Sequence, residues 1–361
     1  MADAHVDHVR EHYNKHTKTQ TREEALKARE EGVAVPLKRF HNSIKRALIN
    51  RFASNANRVI DLACGRGGDI RKWFDANIRY VKGIDLSPAE IGEAKLRYRQ
   101  IKDERYQDHP LTCEFECTDQ LGTSELDLAK DGEFDAVTCM FAIHYFFYSE
   151  QTLKMFFRNA SKALKNRGFF VATCPDGKRV MAELGLQAEV RKPLLHLQRK
   201  WEDPKKPQPF GSAYTMHVQD TVVEAHEGFS EGSLEYLVFR NVLAGVAAQF
   251  DLFPMNDFWG KDLRGYFEED SGFVRHFKPS FPGSDKSLEE ASRLNQAIVL
   301  QKREKPNARH FRLMEAYTQA IEEFKLTHDG GGDAVAGVGP SRKREDEGAG
   351  EGPSKKRQRP K

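Results

Sequence analysis

Between Phe40 and Gly177 the sequence alternates short apolar runs with segments whose apolar residues are spaced as in helices. The runs predicted as strands are 58–63, 80–87, 113–119, 134–145 and 169–175. The segments predicted as helices are 43–52, 70–77, 88–102 and 152–165, with Ser87 as a helix cap. This alternation predicts an α/β fold, in which right-handed crossovers build a doubly wound, mostly parallel sheet covered on both faces.

In such a sheet, ligands bind at the carboxyl ends of the strands near the point where the strand order reverses. The residues predicted at these ends are Gly65, Asp85, Asp119, the pair His144 and Tyr145, and Pro175. We expect them to converge on one site. The pair His144–Tyr145 ends the apolar run CMFAIHYFF, and taken alone it is also compatible with two satisfied core residues.

The first strand runs into a glycine-rich turn, ACGRGG at 63–68. This turn approximates the dinucleotide-binding fingerprint, with Ala63 in place of its first glycine and Asp85 where a ribose-binding acid is expected. A lone glycine pattern is weak evidence. The pattern leaves two classes open, a dehydrogenase and a methyltransferase.

The longer stretch DLACGRGGD, with Asp61 before the turn and Asp69 after it, resembles motif I of class I S-adenosylmethionine-dependent methyltransferases. The resemblance implies S-adenosyl-L-methionine as cofactor, with the turn near its methionine part. It places Asp85 on both ribose hydroxyls, a role that a carboxylate suits because it accepts two hydrogen bonds, and Asp119 near the adenine. On this view Asp85 serves the ribose and not the packing of the fold.

Three stretches together, FHNSIK (40–45), DLACGRGGDIRKW and FDAVTCMFAIHYFF, resemble the eukaryotic mRNA cap (guanine-N7) methyltransferases. The resemblance covers residues 39–302 and is thinner after Pro204, where FGSAY (210–214) and LEYLV (234–238) carry it. It implies a Rossmann-like class I methyltransferase fold with C-terminal antiparallel strands and an insertion that forms the cap pocket.

The resemblance also implies site residues, position by position. The cofactor-binding set is Lys45, Ala63, Gly65, Asp85, Asp119, Met140 and Tyr145. The set for capped RNA is His41, Asn42, Arg66, Lys72, Arg97, His144, Glu235 and Asn295. For Arg66, Lys72 and Arg97 the cationic side chains suit a triphosphate bridge, whereas each alone is equally an ordinary solvated helix residue.

Four positions depart from the family pattern. Ala63 replaces a glycine, which is a small change if its φ is negative. Met140 stands where a glutamine contacts the cofactor. Met216 and Asn295 stand near positions that are usually phenylalanine and tyrosine in the cap pocket. These departures concern guanine affinity more than cofactor binding.

The chemistry implied needs no general base, because guanine N7 is a neutral nitrogen with a free lone pair. No residue is therefore predicted to act as acid or base, and His144, Tyr145 and Glu235 are predicted to position the guanine. Glu235 is expected at the start of a helix capped by Ser233, where its carboxylate is either an ordinary first-turn charge or a partner of the guanine. No metal is predicted.

The ends differ from the centre. Residues 1–35 are predicted to be a flexible arm, 36–327 the catalytic domain, and 328–361 a disordered tail. Two basic clusters in the tail, 342–344 and 355–357, are spaced like a bipartite nuclear-import signal, which implies a nuclear protein and an import receptor as partner. The chain shows no signal peptide or membrane span, and its 57 basic and 54 acidic residues balance.

The five cysteines lie in or beside apolar stretches, and Cys113 and Cys117 lack a second pair of zinc ligands, so reduced intracellular thiols are predicted. Pre-mRNA with a 5′ cap is the expected substrate, and RNA capping enzyme or the RNA polymerase II machinery are further expected partners. Two alternatives stay open, a methyltransferase of this fold with another RNA or nucleotide acceptor, and a catalytically silent relative that binds capped RNA or a partner enzyme.

Overall fold

A computed structural model describes residues 31–219, 233–255, 260–269, 273–303 and 308–326. The expected N-terminal arm, apart from its last residues, and the expected basic tail lie outside these ranges. Within them, no helix combines the length and apolarity needed to cross a membrane.

The elements follow one another in chain order. They are α1 (Val35–Ala53), β1 (Arg58–Leu62), α2 (Ile70–Asp75), β2 (Tyr80–Asp85), α3 (Pro88–Arg105), β3 (Thr112–Cys117), β4 (Phe134–Met140), a 3-10 helix (Ile143–Tyr148), α4 (Glu150–Ala163), β5 (Leu164–Pro175), α5 (Gly177–Leu184), β6 (Glu189–Arg191), β7 (Leu195–Arg199), β8 (Ala213–Val218), β9 (Ser233–Tyr236), α6 (Arg240–Ala248), β10 (Leu252–Pro254), β11 (Val274–His276), α7 (Lys286–Arg293), β12 (Asn295–Lys302) and α8 (Ala308–Leu326).

The main sheet has the order β10-β12-β5-β4-β1-β2-β3, and β11 also pairs with β12. Strands β1 to β5 are parallel, and β10, β11 and β12 are antiparallel additions. The predicted doubly wound sheet with C-terminal antiparallel strands is therefore confirmed. The strand order reverses between β1 and β4, which is where ligands bind in such folds.

The sheet is buried on both faces because successive strand residues point to opposite sides. Ile60 and Val137 join the core beneath α4 and α6, whereas Val59 and Ala136 join the core beneath α1, α2 and α3. Two apolar layers therefore hold the strand ends rigidly. Ser87 caps α3 as predicted, accepting a hydrogen bond from the backbone N–H of Glu90.

A second, antiparallel sheet with the order β6-β7-β8-β9 is inserted after β5. Its strand β9 packs against the 3-10 helix. Glu235 lies in β9, opposite Tyr214 of β8. The expectation that Glu235 begins a helix is therefore wrong, and α6 begins five residues later, at Arg240.

Three further sequence-based boundaries are wrong. Strand β4 ends at Met140 and not at Tyr145, because Phe141 has a φ of 59° and turns the chain into the 3-10 helix that carries His144. Strand β5 begins at Leu164 and not at Phe169, and within it Arg167 has a φ of 67° and the pairing with β4 shifts register. Helix α1 also begins eight residues before the predicted Ser43, at Val35.

Candidate active site

The strand-order reversal is marked by two residues with left-handed backbone conformations. Ala63 follows β1 with a φ of 60°, and Phe141 follows the neighbouring β4 with a φ of 59°. Such values are uncommon for residues with a Cβ atom and cluster at functional sites. Alanine would be a small change from glycine at position 63 only if its φ were negative. Its φ is positive, so this condition is not met.

The turn after β1 is held by Asp85. One of its carboxylate oxygens accepts the backbone N–H of Gly65 at 2.8 Å, and the other accepts the N–H of Ser87 at 2.9 Å. Asp85 is 6% exposed, and burial raises its pKa to about 6. The expectation that Asp85 has no part in the fold is therefore wrong, because its carboxylate fixes backbone N–H groups of the turn and of the segment after β2.

Asp69 joins the turn to α1 and α2. The ammonium groups of Lys45 and Lys72 lie 2.7 and 2.8 Å from its Oδ1. Burial alone would raise the pKa of Asp69, but these two charges lower it. Lys72 also donates to the side-chain oxygen of Asn42 at 2.8 Å. Lys72 is 3% exposed, so the alternative that it is a solvated helix residue is wrong.

Asp61 lies beneath the same turn and joins β1 to β4. Its Oδ1 accepts the hydroxyl of Thr138 at 2.5 Å. Burial and the neighbouring charge of Asp69 raise the pKa of Asp61. The two carboxylates that bracket the turn thus have pKa values moved in opposite directions.

Arg66 and Arg97 both pair with glutamates of α3. The guanidinium of Arg66 donates to Glu90 through Nε at 3.2 Å and Nη2 at 2.8 Å. Arg97 lies 3.6 Å from Glu93, one turn away on the same helix. Arg66 therefore lies in the turn and Arg97 in the helix that follows β2, and their place on a polyphosphate path stays a prediction.

A second group of polar residues joins the 3-10 helix to the inserted sheet. The hydroxyl of Tyr214 donates to Oε2 of Glu235 at 2.7 Å, and Nε2 of His144 lies 3.9 Å from Oε1. All three side chains are buried, and neither ring nitrogen of His144 has a hydrogen-bond partner. Unpartnered buried polar atoms are rare, and a ligand or a water molecule would satisfy them.

Burial shifts both ionisable members of this group towards neutrality. It raises the pKa of Glu235 to about 8, against the opposing hydrogen bond from Tyr214, and lowers the pKa of His144 to about 3. The ring of Tyr145 packs against that of His144 in a tilted arrangement, with ring centroids 4.2 Å apart. Met216 is two residues from Tyr214 on β8 and therefore shares its face of the sheet.

The remaining predicted residues lie at the same sheet edge. Asp119 follows β3, where the N–H of Thr118 donates to the carbonyl of Asp85. Pro175 ends β5 and pairs with Asn295. The side-chain amide of Asn295 donates to carbonyls at the end of α7, and Met140 is buried at the end of β4.

His41 lies on α1 and reaches the end of β4. Its ring stacks on Phe141 with centroids 4.9 Å apart, and its Nε2 lies 2.9 Å from the hydroxyl of Ser292. Burial, reinforced by Lys45, lowers the pKa of His41 to about 3. The imidazole is therefore neutral and oriented at physiological pH.

Sequence reasoning missed Glu90, Thr138 and Tyr214. Tyr214 lies within FGSAY, one of the stretches that carry the family resemblance, so this motif could have identified it. Glu90 and Thr138 gave no signal, because their partners are 24 and 77 residues away in the sequence. In the described ranges, no group of three or more His, Cys, Asp or Glu side chains is arranged to hold a metal ion.

A doubly wound sheet with a glycine-rich turn and a buried acid at the adjacent strand end defines an α/β protein that binds a nucleotide-type cofactor. The mRNA (guanine-N(7))-methyltransferase domain model matches residues 1–317. The chain therefore belongs to the mRNA (guanine-N(7))-methyltransferase domain family.

Three curated relatives illustrate the similarity. The chain is 33% identical to mRNA cap guanine-N(7) methyltransferase 1 of Arabidopsis thaliana, over 68% of this chain and 65% of the relative. It is 29% identical to mRNA cap guanine-N(7) methyltransferase of Saccharomyces cerevisiae, over 74% and 62%. It is 30% identical to the Schizosaccharomyces pombe protein of that name, over 61% of each. The chain thus spans under two thirds of these relatives' lengths.

Among solved structures, the chain is similar to an S-adenosylmethionine-dependent methyltransferase from Clostridium acetobutylicum. The TM-score is 0.46 and the identity 15%, over 77% of this chain and 96% of that one.

Proposed function

We propose that the protein transfers a methyl group from S-adenosyl-L-methionine to N7 of the terminal guanosine of the mRNA 5′ cap. The observation that carries this proposal is the buried group of Glu235, Tyr214 and His144 at the sheet edge beside the glycine-rich turn. Its free acceptors and unpartnered imidazole suit a flat base with two adjacent N–H donors.

The residues around the turn fit S-adenosylmethionine. Gly65, with a φ of 52°, leaves room at the turn, and the carboxylate of Asp85, held beside the turn by the N–H of Gly65, would take the ribose diol. Lys45, Asp119, Met140 and Tyr145 complete the cofactor set, together with the backbone of Ala63. When bound, this cofactor supplies an electrophilic methyl group on a sulfonium sulfur.

The protein's own contribution is alignment. Guanine N7 would attack the methyl carbon with its lone pair while the methyl–sulfur bond breaks and S-adenosylhomocysteine leaves, and no proton has to leave N7 before the attack. Holding N7 in line and in contact with the methyl carbon can supply about 7–11 kcal/mol of the barrier. His144, Tyr145 and Glu235 are the residues that hold the base.

Glu235 distinguishes guanine from adenine. Burial keeps the Glu235 carboxyl neutral in the free protein, and two N–H donors of a bound base favour its ionised form, which then accepts the N1–H and exocyclic amine of guanine. Adenine does not present that pair of donors. Tyr214 fixes the carboxylate by donating to Oε2, so that the acid does not have to be oriented when the base enters. The base becomes positively charged on methylation, and a nearby carboxylate and aromatic faces stabilise that charge.

The RNA path runs over α1 and the turn. Arg66, Lys72 and Arg97 supply positive potential for the triphosphate bridge, with Lys72 acting through the buried cluster at Asp69. His41 and Asn42 lie next to this cluster and would touch the capped end. Asn295, at the opposite side of the edge, completes the set.

The substrate class and partners follow from the same proposal. Capped pre-mRNA is the acceptor, and RNA capping enzyme or the RNA polymerase II machinery delivers it. The basic clusters at 342–344 and 355–357, outside the described residues, suit a nuclear import receptor. The site of action is then the nucleus.

A comparison of acceptors tests the function. Wild-type protein is incubated with labelled S-adenosylmethionine and RNA that carries an unmethylated guanosine cap, a 7-methylguanosine cap or a plain 5′-triphosphate. Labelling of the first RNA alone is expected. Equal labelling of all three would favour the methyltransferase with another RNA acceptor, and cofactor binding without any labelling would favour the silent relative.

A further inference from the structure

Glu90 lies outside the proposed contact sets and pairs with Arg66, one of the residues proposed to bind the triphosphate bridge. It sits in the first turn of α3 and is 3% exposed. Its two carboxylate oxygens receive Nε and Nη2 of Arg66 at 3.2 and 2.8 Å. This is a bidentate, side-on pairing, the geometry in which a carboxylate orients a guanidinium most firmly.

The pairing leaves part of Arg66 available. A guanidinium carries five N–H donors in a fixed plane, and Glu90 uses two of them. The other three lie on the edge turned away from the carboxylate. The side chain of Arg66 is 23% exposed while that of Glu90 is 4% exposed, so the outward edge is the one that a phosphate reaches.

Glu90 is also fixed with respect to the glycine-rich turn. A Cβ atom placed on Gly65 would lie 3.4 Å from Oε2 of Glu90, so the carboxylate rests against the turn. Because Arg66 is the next residue, the turn holds its backbone while Glu90 holds its guanidinium. A free arginine would lose side-chain entropy on being ordered by RNA, and here that ordering precedes RNA binding.

We infer that Glu90 is a positioning residue, which holds Arg66 in the orientation that receives the triphosphate bridge of capped RNA. The inference rests on the proposed function. Glu90 touches neither base nor cofactor in this scheme. Its charge also raises the pKa of Asp85, so loss of that charge would favour the ionised, ribose-binding form of Asp85. A loss of Arg66 orientation should therefore appear as a higher KM for RNA without weaker cofactor binding.

The test is a double-mutant cycle with Glu90→Gln and Arg66→Gln. Glutamine keeps the shape of the glutamate but replaces one acceptor by an N–H₂ group that faces Arg66. Loss of one charged hydrogen bond should raise KM for guanosine-capped RNA roughly 10-fold in Glu90→Gln. The Kd for S-adenosylhomocysteine should change less than about twofold, and Glu90→Gln should have little further effect in an Arg66→Gln background.

Glu93→Gln is the matched control. Glu93 pairs with Arg97 on the same helix, but it is 43% exposed and 3.6 Å from its partner. Exposed pairs of this kind contribute little, so KM should stay within about twofold of wild type. If Glu90→Gln does not fold, as judged by circular dichroism, Glu90→Asp keeps the charge, withdraws it by one methylene, and should raise KM in the same direction.

Three outcomes would overturn the inference. A lower KM in Glu90→Gln would mean that Glu90 merely neutralises Arg66. Additive effects of the two substitutions, or an equal loss of cofactor affinity, would mean that Glu90 supports the fold and not Arg66. An unchanged KM in an active enzyme would contradict the positioning role alone, whereas a wild type that does not methylate capped RNA would contradict the proposed function.

Discussion

Glu235 combines burial with an ionisable carboxylate, and this makes it the residue whose substitution is most informative. Glu235→Gln keeps the shape but offers one acceptor and brings a donor that opposes the guanine amine. Methylation of guanosine-capped RNA should fall by roughly 10-fold or more, the effect of one to two charged hydrogen bonds. Steady-state kinetics on capped RNA measure this, and unaltered kinetics would remove Glu235 from the guanine site.

The same substitution should change how stability depends on pH. Burial raises the pKa of Glu235 from its ordinary 4.5 to about 8, so its contribution is fully present below pH 4.5 and is lost as pH rises through 8. Over this window wild type should lose up to about 1.4 kcal/mol per pH unit relative to Glu235→Gln. Urea unfolding at pH 5.5 and pH 8 measures the difference. An equal pH dependence of the two proteins would mean that burial does not raise the pKa of Glu235.

Ala63 is strained where it stands. With a φ of 60°, its Cβ approaches the following carbonyl oxygen, a cost that glycine does not have. Ala63→Gly should raise the free energy of unfolding by about 0.5–1 kcal/mol, after the entropic cost of glycine is subtracted. Gly67→Ala, with a φ of 69° and a Cβ that would overlap Ile70, is the opposite control and should destabilise the protein. A less stable Ala63→Gly protein would show that the turn favours alanine.

At the scale of elements, the packing of α8 on α6 depends on a glycine. A Cβ on Gly245 would overlap Tyr317 at its Cβ and ring, close to the backbone of α8, and the tyrosine cannot swing away easily. Gly245→Ala should lower the free energy of unfolding by about 1–3 kcal/mol, the usual cost of overpacking. Thermal or urea unfolding provides the value.

Gly92→Ala is the matched control, because Gly92 lies within α3 and a Cβ there meets nothing within 4 Å. This change should stabilise the protein by about 0.5–1 kcal/mol through helix propensity. If Gly245→Ala behaved like Gly92→Ala, the close packing of α6 and α8 would be wrong.

The parallel sheet and its helices could be predicted because their signals are local. Alternating apolar runs placed β1 to β5, and Ser87 with Pro88 placed the start of α3. The inserted sheet escaped prediction, since its strands are short and the stretch around Glu235 has helix-like spacing. The pairing of β9 with β8, which sets Glu235 opposite Tyr214, makes this stretch a strand.

The roles of the candidate site residues stay predictions, and their contacts were not predicted. The resemblance supplied Asp85, Lys45 and Glu235 as candidates, while their partners depend on the tertiary fold. The left-handed conformation of Phe141, which ends β4 early, is set by hydrogen bonds from its N–H to Thr173 on the neighbouring strand. No sequence pattern predicts such a contact between residues of two strands.

At the scale of the whole molecule, charge is balanced overall but cations gather at the turn and α1. Binding of capped RNA should therefore weaken with salt, with a slope set by the number of phosphates neutralised. Arg66→Gln and Arg97→Gln should each flatten the slope of log Kd against log salt. Fluorescence anisotropy with capped RNA at several salt concentrations measures it, and slopes equal to wild type would assign both arginines to the surface.

Lys72→Met should behave differently in the same measurement. Its ammonium is buried against Asp69, so its loss leaves a buried carboxylate with one cation instead of two. We expect lower stability and weaker cofactor binding in addition to any change in salt slope. An effect on the salt slope alone would mean that Lys72 leaves this cluster to contact RNA.

The most direct test of N7 methylation of the cap guanosine is the position of the transferred methyl group. Wild-type protein is incubated with guanosine-capped RNA and S-adenosylmethionine labelled in the methyl group, and the RNA is digested with nuclease to release the cap. All label should be recovered as 7-methylguanosine cap structure, and the Glu235→Gln protein should transfer much less of it. Label in internal nucleotides, in ribose or at another guanine atom would contradict methylation of the cap guanosine at N7.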